Sequence, residues 1–142
     1  MTLIADTGGL YALYDADDKH HNAVCRVIEQ ERGPLIVPMA ILGELDYLLR
    51  EFLSIDAELA FLEGIANGTY ILEPLTVVDV ARCRALIAMY RELDLGLADA
   101  AVIATAERFR IRRVLTIDER DFRAVTPQHG TLTLLPADMD KK

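Results

Sequence analysis

Four carboxylates stand out by where they fall: Asp6, Glu44, Asp99 and Asp118. Asp6 closes the apolar run Leu3-Ile4-Ala5, and Asp118 follows Val114-Leu115-Thr116-Ile117. A carboxylate at the end of an apolar run, or on the edge of an apolar helix face, is costly to desolvate without a compensating reason. Asp99 shows this most sharply. Its helical neighbours three and four residues ahead are Val102 and Ile103, so its side chain is aimed at the protein, where only a helix N-terminus offers relief. Taken singly, the other three also have plain structural readings. Asp6 reads as a helix cap, Glu44 as a solvated helix residue, and Asp118 as a turn or cap before Glu119-Arg120-Asp121-Phe122. Together those readings require independent coincidences of placement. The alternative is a common site, since clustered carboxylates hold divalent cations.

The elements that must position these residues alternate between strand and helix. Leu3 to Ala5 reads as a short buried strand, then a turn at Thr7-Gly8-Gly9 and a helix through Tyr14. A second helix runs from about Lys19 to Glu31, capped by Asp17-Asp18 and stopped by Gly33-Pro34. Leu35 to Val37 is a strand. Pro38 opens a helix to about Leu53 with an apolar stripe at Ile41, Leu42, Leu45, Leu48, Leu49 and Phe52. Glu44 and Asp46 flank that stripe on opposite edges, so periodicity does not separate them. Ser54 caps a helix from Ile55 to Ala66, and Tyr70 to Leu72 is a third strand. Helices over Val77–Leu93 and Leu97–Phe109, strand Val114–Thr116 and a fifth strand over Leu132–Leu135 complete the reading. Such alternation implies a parallel, helix-covered α/β sheet, in which ligands bind beyond the carboxyl ends of strands at a switch point. One domain, residues 1–137, is expected, with a short charged tail over 138–142.

Composition closes off other chemistries. A chain of 142 residues, 52% of them hydrophobic, has enough for one core. Only Lys19, Lys141 and Lys142 are lysines, which argues against a phosphate-binding P-loop or a Schiff-base enzyme. Ser54 is the sole serine, so a serine hydrolase is excluded. Cys25 and Cys83 have no metal or redox spacing, and His20, His21 and His129 read as surface residues. Without a signal-like start or a membrane-length apolar run, a cytoplasmic protein with reduced thiols and no membrane contact is expected. The net charge of -8 argues against gripping nucleic acid by overall charge, and any tight partner should be basic.

The residues then match a family. The chain resembles the PIN domain and, within it, the ribonuclease toxins of VapBC toxin–antitoxin pairs. Ile4-Ala5-Asp6-Thr7-Gly8-Gly9-Leu10 looks like the family's Asp-Thr-Ser opening, and Glu44-Leu45-Asp46 like its helical glutamate. The segment from Leu97 to Ala106 is close to its most specific block, and Thr116-Ile117-Asp118-Glu119-Arg120-Asp121-Phe122 to its closing Thr-x-Asp-x-x-Asp-Phe. The blocks run in the family's order from residue 4 to residue 122. Gly8 departs from the pattern, standing where the family commonly has serine, so one hydroxyl beside Asp6 is lost.

The resemblance implies a five-stranded parallel sheet in order 3-2-1-4-5, with helices on both faces and Asp6 and Asp118 adjacent at the switch point. It implies a toxin that hydrolyses RNA with magnesium or manganese. Asp6, Glu44, Asp99 and Asp118 are the expected catalytic residues. Asp6, Asp99 and Asp118 are the metal ligands, with Glu44 and Asp121 contributing directly or through water and the hydroxyls of Thr7 and Thr116 in support. Arg108, Arg110, Arg112 and Arg113 read either as a solvated helix end or as a phosphate-contacting patch beside the pocket. A basic VapB-like antitoxin and a homodimer are expected. The competing classes are a nuclease acting on DNA or outside a toxin system, and a non-catalytic binding module.

Overall fold

The computed structural model describes residues 2–139. Its strands are β1 (Leu3–Ala5), β2 (Leu35–Pro38), β3 (Tyr70–Glu73), β4 (Arg113–Leu115) and β5 (Thr133–Leu135), all paired in parallel in the order β3-β2-β1-β4-β5. The expected sheet and order are both present. Leu3, Ile4 and Ala5 are fully buried, as are Val114 and Leu115, because helices cover both faces of a parallel sheet. This is why the strands read as short continuous apolar runs.

The helices are α1 (Thr7–Tyr14), α2 (His21–Gln30), α3 (Leu42–Phe52), α4 (Ile55–Ala66), α5 (Val77–Met89), α6 (Leu97–Phe109) and α7 (Glu119–Ala124). Helices supply the crossovers that successive parallel strands require. Helix α1 packs on α2 and α3, while α5 packs on α6 and α6 lies against β1 and β2. From Ala100 to Ala106 every residue of α6 is buried, so this alanine-rich helix is the central support of its face. The Ser54 hydroxyl caps α4 by accepting from the Ala57 N–H at 3.0 Å.

Three differences from the sequence reading matter for the site. The segment after Asp118 is a helix, α7, and not a simple turn. The helix expected to reach Leu93 ends at Met89 and continues as a separate tight turn over Arg91–Leu93. Asp138, assigned to the charged tail, is buried. Its carboxylate accepts the Leu134 N–H at 2.9 Å and is bound by Arg123 at 2.7 Å. Residues 140–142 of that tail lie outside the described residues.

Candidate active site

The strand order reverses between β1 and β4, and their carboxyl ends deliver Asp6 and Asp118 to the same place. Asp6 extends the β1–β4 ladder by one bond, its N–H donating to the Leu115 carbonyl at 2.9 Å. Gly9 lets the start of α1 approach β4. A Cβ there would lie 2.4 Å from the Leu115 carbonyl oxygen, so no other residue fits without moving the helix that begins at Asp6. Asp6 and Asp118 occupy the N-cap positions of α1 and α7, but neither side chain makes a capping hydrogen bond. The cap reading therefore does not account for either carboxylate.

What Asp6 does bond is Thr116. The Thr116 hydroxyl donates to Asp6 Oδ2 at 2.8 Å, and Thr116 Oγ1 in turn accepts the Asp118 N–H at 3.0 Å. One buried threonine thus ties the two acids together. The other hydroxyl expected here, Thr7 Oγ1, is buried and has no partner among the described residues; Thr7 contributes its backbone N–H to Asp6 instead. Where the family commonly has serine, Gly8 faces Ile117. A Cβ would sit 2.9 Å from Ile117 Cγ1, so the isoleucine occupies the space the missing side chain would need.

Two further carboxylates come from the first turns of α6 and α3, Asp99 and Glu44. A fifth, Asp121, comes from the first turn of α7. Asp99, Asp118 and Asp121 each bring an oxygen within 4.8 Å of the other two. Crowding and burial show in the proton affinities. Burial pushes Asp6 up to about 6, against the opposing bonds from Thr116 and Thr7, and the charges of Asp118 and Glu44 add to the rise. Asp99 is pushed to about 7 by burial first, then by Asp6, Asp118, Asp121 and Glu44. A helix N-terminus normally favours an anion. Here desolvation and four like charges win.

Glu44 acts electrostatically on both Asp6 and Asp99, whereas Asp46 turns to α4 and shares a hydrogen bond with Glu58. Asp121 is brought closer than its sequence position suggests, because α7 carries it back over Asp118. An acidic residue three positions after a potential N-cap was the available signal.

The four arginines are not beside the carboxylates. Arg113 opens β4 at the end opposite Asp118, and Arg108 and Arg110 lie at the far end of α6 from Asp99, roughly 15 Å along the axis at ~1.5 Å per residue. Arg108 binds Glu73 at 2.8 Å and Asp79 at 3.1 Å, Arg113 binds Glu31 at 2.7 Å, and Arg112 donates to the His129 carbonyl at 2.6 Å. Three of the four therefore hold the fold together, which explains their presence without a phosphate.

The PIN-domain family model matches residues 3–126. Over 135 residues the chain is 35% identical to Ribonuclease VapC26 of Mycobacterium tuberculosis (strain ATCC 25618 / H37Rv), spanning 94% of this chain and 100% of that relative. Its fold superposes on the crystal structure of Mycobacterium tuberculosis VapC20, a Sarcin-Ricin loop cleaving toxin, with a TM-score of 0.80, 20% identity, and coverage of 86% of this chain and 94% of that one. A toxin–antitoxin complex from Klebsiella pneumoniae matches with a TM-score of 0.69, 19% identity, and coverage of 87% and 92%. The chain belongs to the PIN-domain family and, within it, to the VapC-type ribonucleases.

Proposed function

We propose that the chain is the toxin of a toxin–antitoxin pair, an endoribonuclease that hydrolyses RNA phosphodiesters at the centre formed by Asp6, Glu44, Asp99 and Asp118. One observation carries the reading. Five carboxylates converge at one end of the sheet, and burial first, then their mutual repulsion, makes Asp6 and Asp99 hold their protons to about pH 6 and 7. On a stable fold, such mutual repulsion is tolerated where a cation relieves it.

The donor set is carboxylate oxygen throughout, the chemistry that magnesium and manganese favour over zinc or copper. Asp6, Asp99 and Asp118 would hold the ion, with Glu44 and Asp121 completing the site directly or through water. When bound, the ion supplies positive charge that lowers the pKa of a water and stabilises the leaving oxygen. The chain's own residues prepare that chemistry. Thr116 ties the Asp6 carboxylate to the Asp118 backbone, so the two residues are held side by side. Burial of Asp6 removes competing water from one side of the centre, while the exposed Glu44 and Asp118 leave the other side open to a polymer. Arg120, in the first turn of α7 beside Asp118, is exposed and without an ion-pair partner among the described residues, which suits it to an RNA phosphate.

The net charge of -8 and the exposed apolar side chains Tyr47, Phe52, Ile55 and Leu59 on α3 and α4 support a basic, amphipathic antitoxin. Val77, Val78 and Met89, exposed on α5, support a second copy of the chain as a dimer partner. No helix among the described residues is long and apolar enough to cross a membrane, in keeping with action in the cytoplasm. The test is cleavage of matched RNA and DNA oligonucleotides with magnesium, manganese or chelator, by the wild type and by Asp6→Asn and Asp99→Asn. RNA cut only with metal and only by the wild type is expected. DNA cleavage would reassign the substrate, and no cleavage of either would leave a binding module. Co-expression with the neighbouring reading frame then tests for a partner that suppresses activity.

A further inference from the structure

At the carboxyl end of β4 a recess of about 250 Å3 opens between the start of α2 and the turn at Pro136-Ala137. We propose that it seats one base of the RNA strand next to the cleaved phosphodiester, and that it prefers a base bearing an exocyclic amino group over uracil. The proposal rests on the reading of the carboxylates as an RNA-cleaving centre.

Thr116 fixes the recess relative to the chemistry. The same residue lines the recess and donates its hydroxyl to Asp6 at 2.8 Å. The recess and the carboxylates are thus joined through a single residue, as a base and its phosphate are joined through a single sugar. Its size is below the ~300–1,000 Å3 of sites for drug-sized ligands, which suits a single flat ring system and not a whole nucleotide. Ile117, Pro136 and Ala23 give it apolar walls. Ile117 is available as a wall because its side chain packs over Gly8, whose missing Cβ would collide with it.

Two polar side chains complete the lining, His20 and Glu119. His20 uses its backbone N–H on Asp18 at 2.8 Å, while its ring has no partner among the described residues and is free to stack on a base. Arg123 places both of its bonds to Glu119 on one oxygen, Oε1, at 3.0 and 2.7 Å. Glu119 Oε2 is left to accept. A carboxylate oxygen accepts from the amino group of cytosine, adenine or guanine; uracil offers one N–H between two carbonyls and sets an oxygen against it.

The experiment uses the full chain with labelled alanine and isoleucine methyl groups, titrated without metal with adenosine, cytidine, guanosine and uridine. Nucleosides carry no phosphate for the carboxylates to repel. Shifts of the Ala23, Ala137 and Ile117 methyls with at least one amino-bearing nucleoside, but not with uridine, are expected. Ala23→Phe fills the recess from a partly exposed position on α2 and should abolish the shift of the remaining methyls. In parallel, RNA oligonucleotides varied at each base flanking the cut should show a preference of about tenfold against uridine at one position, levelled by Ala23→Phe and by Glu119→Gln. No shift at these methyls, equal shifts with uridine, or a cleavage preference that both variants leave intact would each overturn the proposal. Methyl shifts without cleavage of any RNA would sink the nuclease reading and leave a nucleoside site. Cleavage without shifts or altered preference would do the reverse.

Discussion

Substituting Asp6 by asparagine should stabilise the metal-free protein at neutral pH while destroying its response to metal. Asp6 is 5% exposed, and its carboxyl is raised from 3.8 to about 6. Between those values the unfolded chain has released this proton while the folded chain retains it, so stability falls as pH rises through the window. Above pH 6 the full cost applies. At ~1.4 kcal/mol per unit it is about 3 kcal/mol, little screened because the group is buried. Asparagine never ionises, and its carbonyl oxygen can still accept the Thr116 hydroxyl. Relative to the wild type, Asp6→Asn should therefore gain little near pH 4 and roughly 3 kcal/mol by pH 7.5, an increase in Tm of about 6–12 °C for a chain of this size.

Thermal melts in chelator from pH 4 to 8 measure this directly. Adding millimolar manganese or magnesium should then reverse the order. The wild type gains about 3 kcal/mol when the free ion exceeds its Kd a hundredfold, and the variant gains much less. A stability difference that does not change with pH would refute the reasoning, because the penalty would not then arise from ionising Asp6. So would equal protection of both proteins by metal.

On α3, Glu44→Gln should depress RNA cleavage strongly while Asp46→Asn leaves it near wild type, since only Glu44 acts on Asp6 and Asp99; steady-state kinetics of the pair decides, and the reverse order would misplace the centre. Arg108→Ala removes the partner of Asp79, which is 3% exposed, and should cost about 2 kcal/mol after allowance for the partly exposed arginine, read as a lower Tm with cleavage per folded molecule unchanged. Arg120→Ala should raise KM with kcat preserved and reduce the salt slope of RNA binding by about one, which a titration at several salt concentrations would show.

The strands were legible because helices cover both faces of the sheet, leaving uniformly apolar runs followed by the candidate site carboxylates. The placement of Asp6 and Asp118 beyond strand ends was legible for the same reason, and the position of Asp99 on a buried helix because its helical neighbours had to be buried. α7 was not. Phe122 is its only buried residue, so six positions carried no periodic signal, and with that helix went the close approach of Asp121. Glu44 and Asp46 could not be separated on one helix because Glu58, which engages Asp46, lies on the next. The arginines misled through proximity in sequence. They straddle the end of α6 and the start of β4, and their partners Glu31, Glu73 and Asp79 are remote in the chain. Asp138 looked like a tail because its bonds to the Leu134 N–H and Arg123 are set by a turn and by a tertiary contact.

That use of arginine bears on how so acidic a chain meets RNA. Arg82, Arg108, Arg113 and Arg123 are held in ion pairs with its own carboxylates, and Arg112 with a backbone carbonyl. A guanidinium already paired gains little by exchanging a carboxylate for a phosphate, so these residues add little long-range attraction for a polyanion. What remains near the site among the described residues is local: the exposed Arg120, together with the cation proposed for the five acids. Affinity for RNA should then be coupled to metal occupancy, in contrast to proteins that first bind nucleic acid on a basic face. The same logic favours inhibition by a basic partner. A cationic side chain placed among Asp6, Asp99 and Asp118 would relieve the same repulsion as the proposed metal, and it would do so without leaving room for that ion.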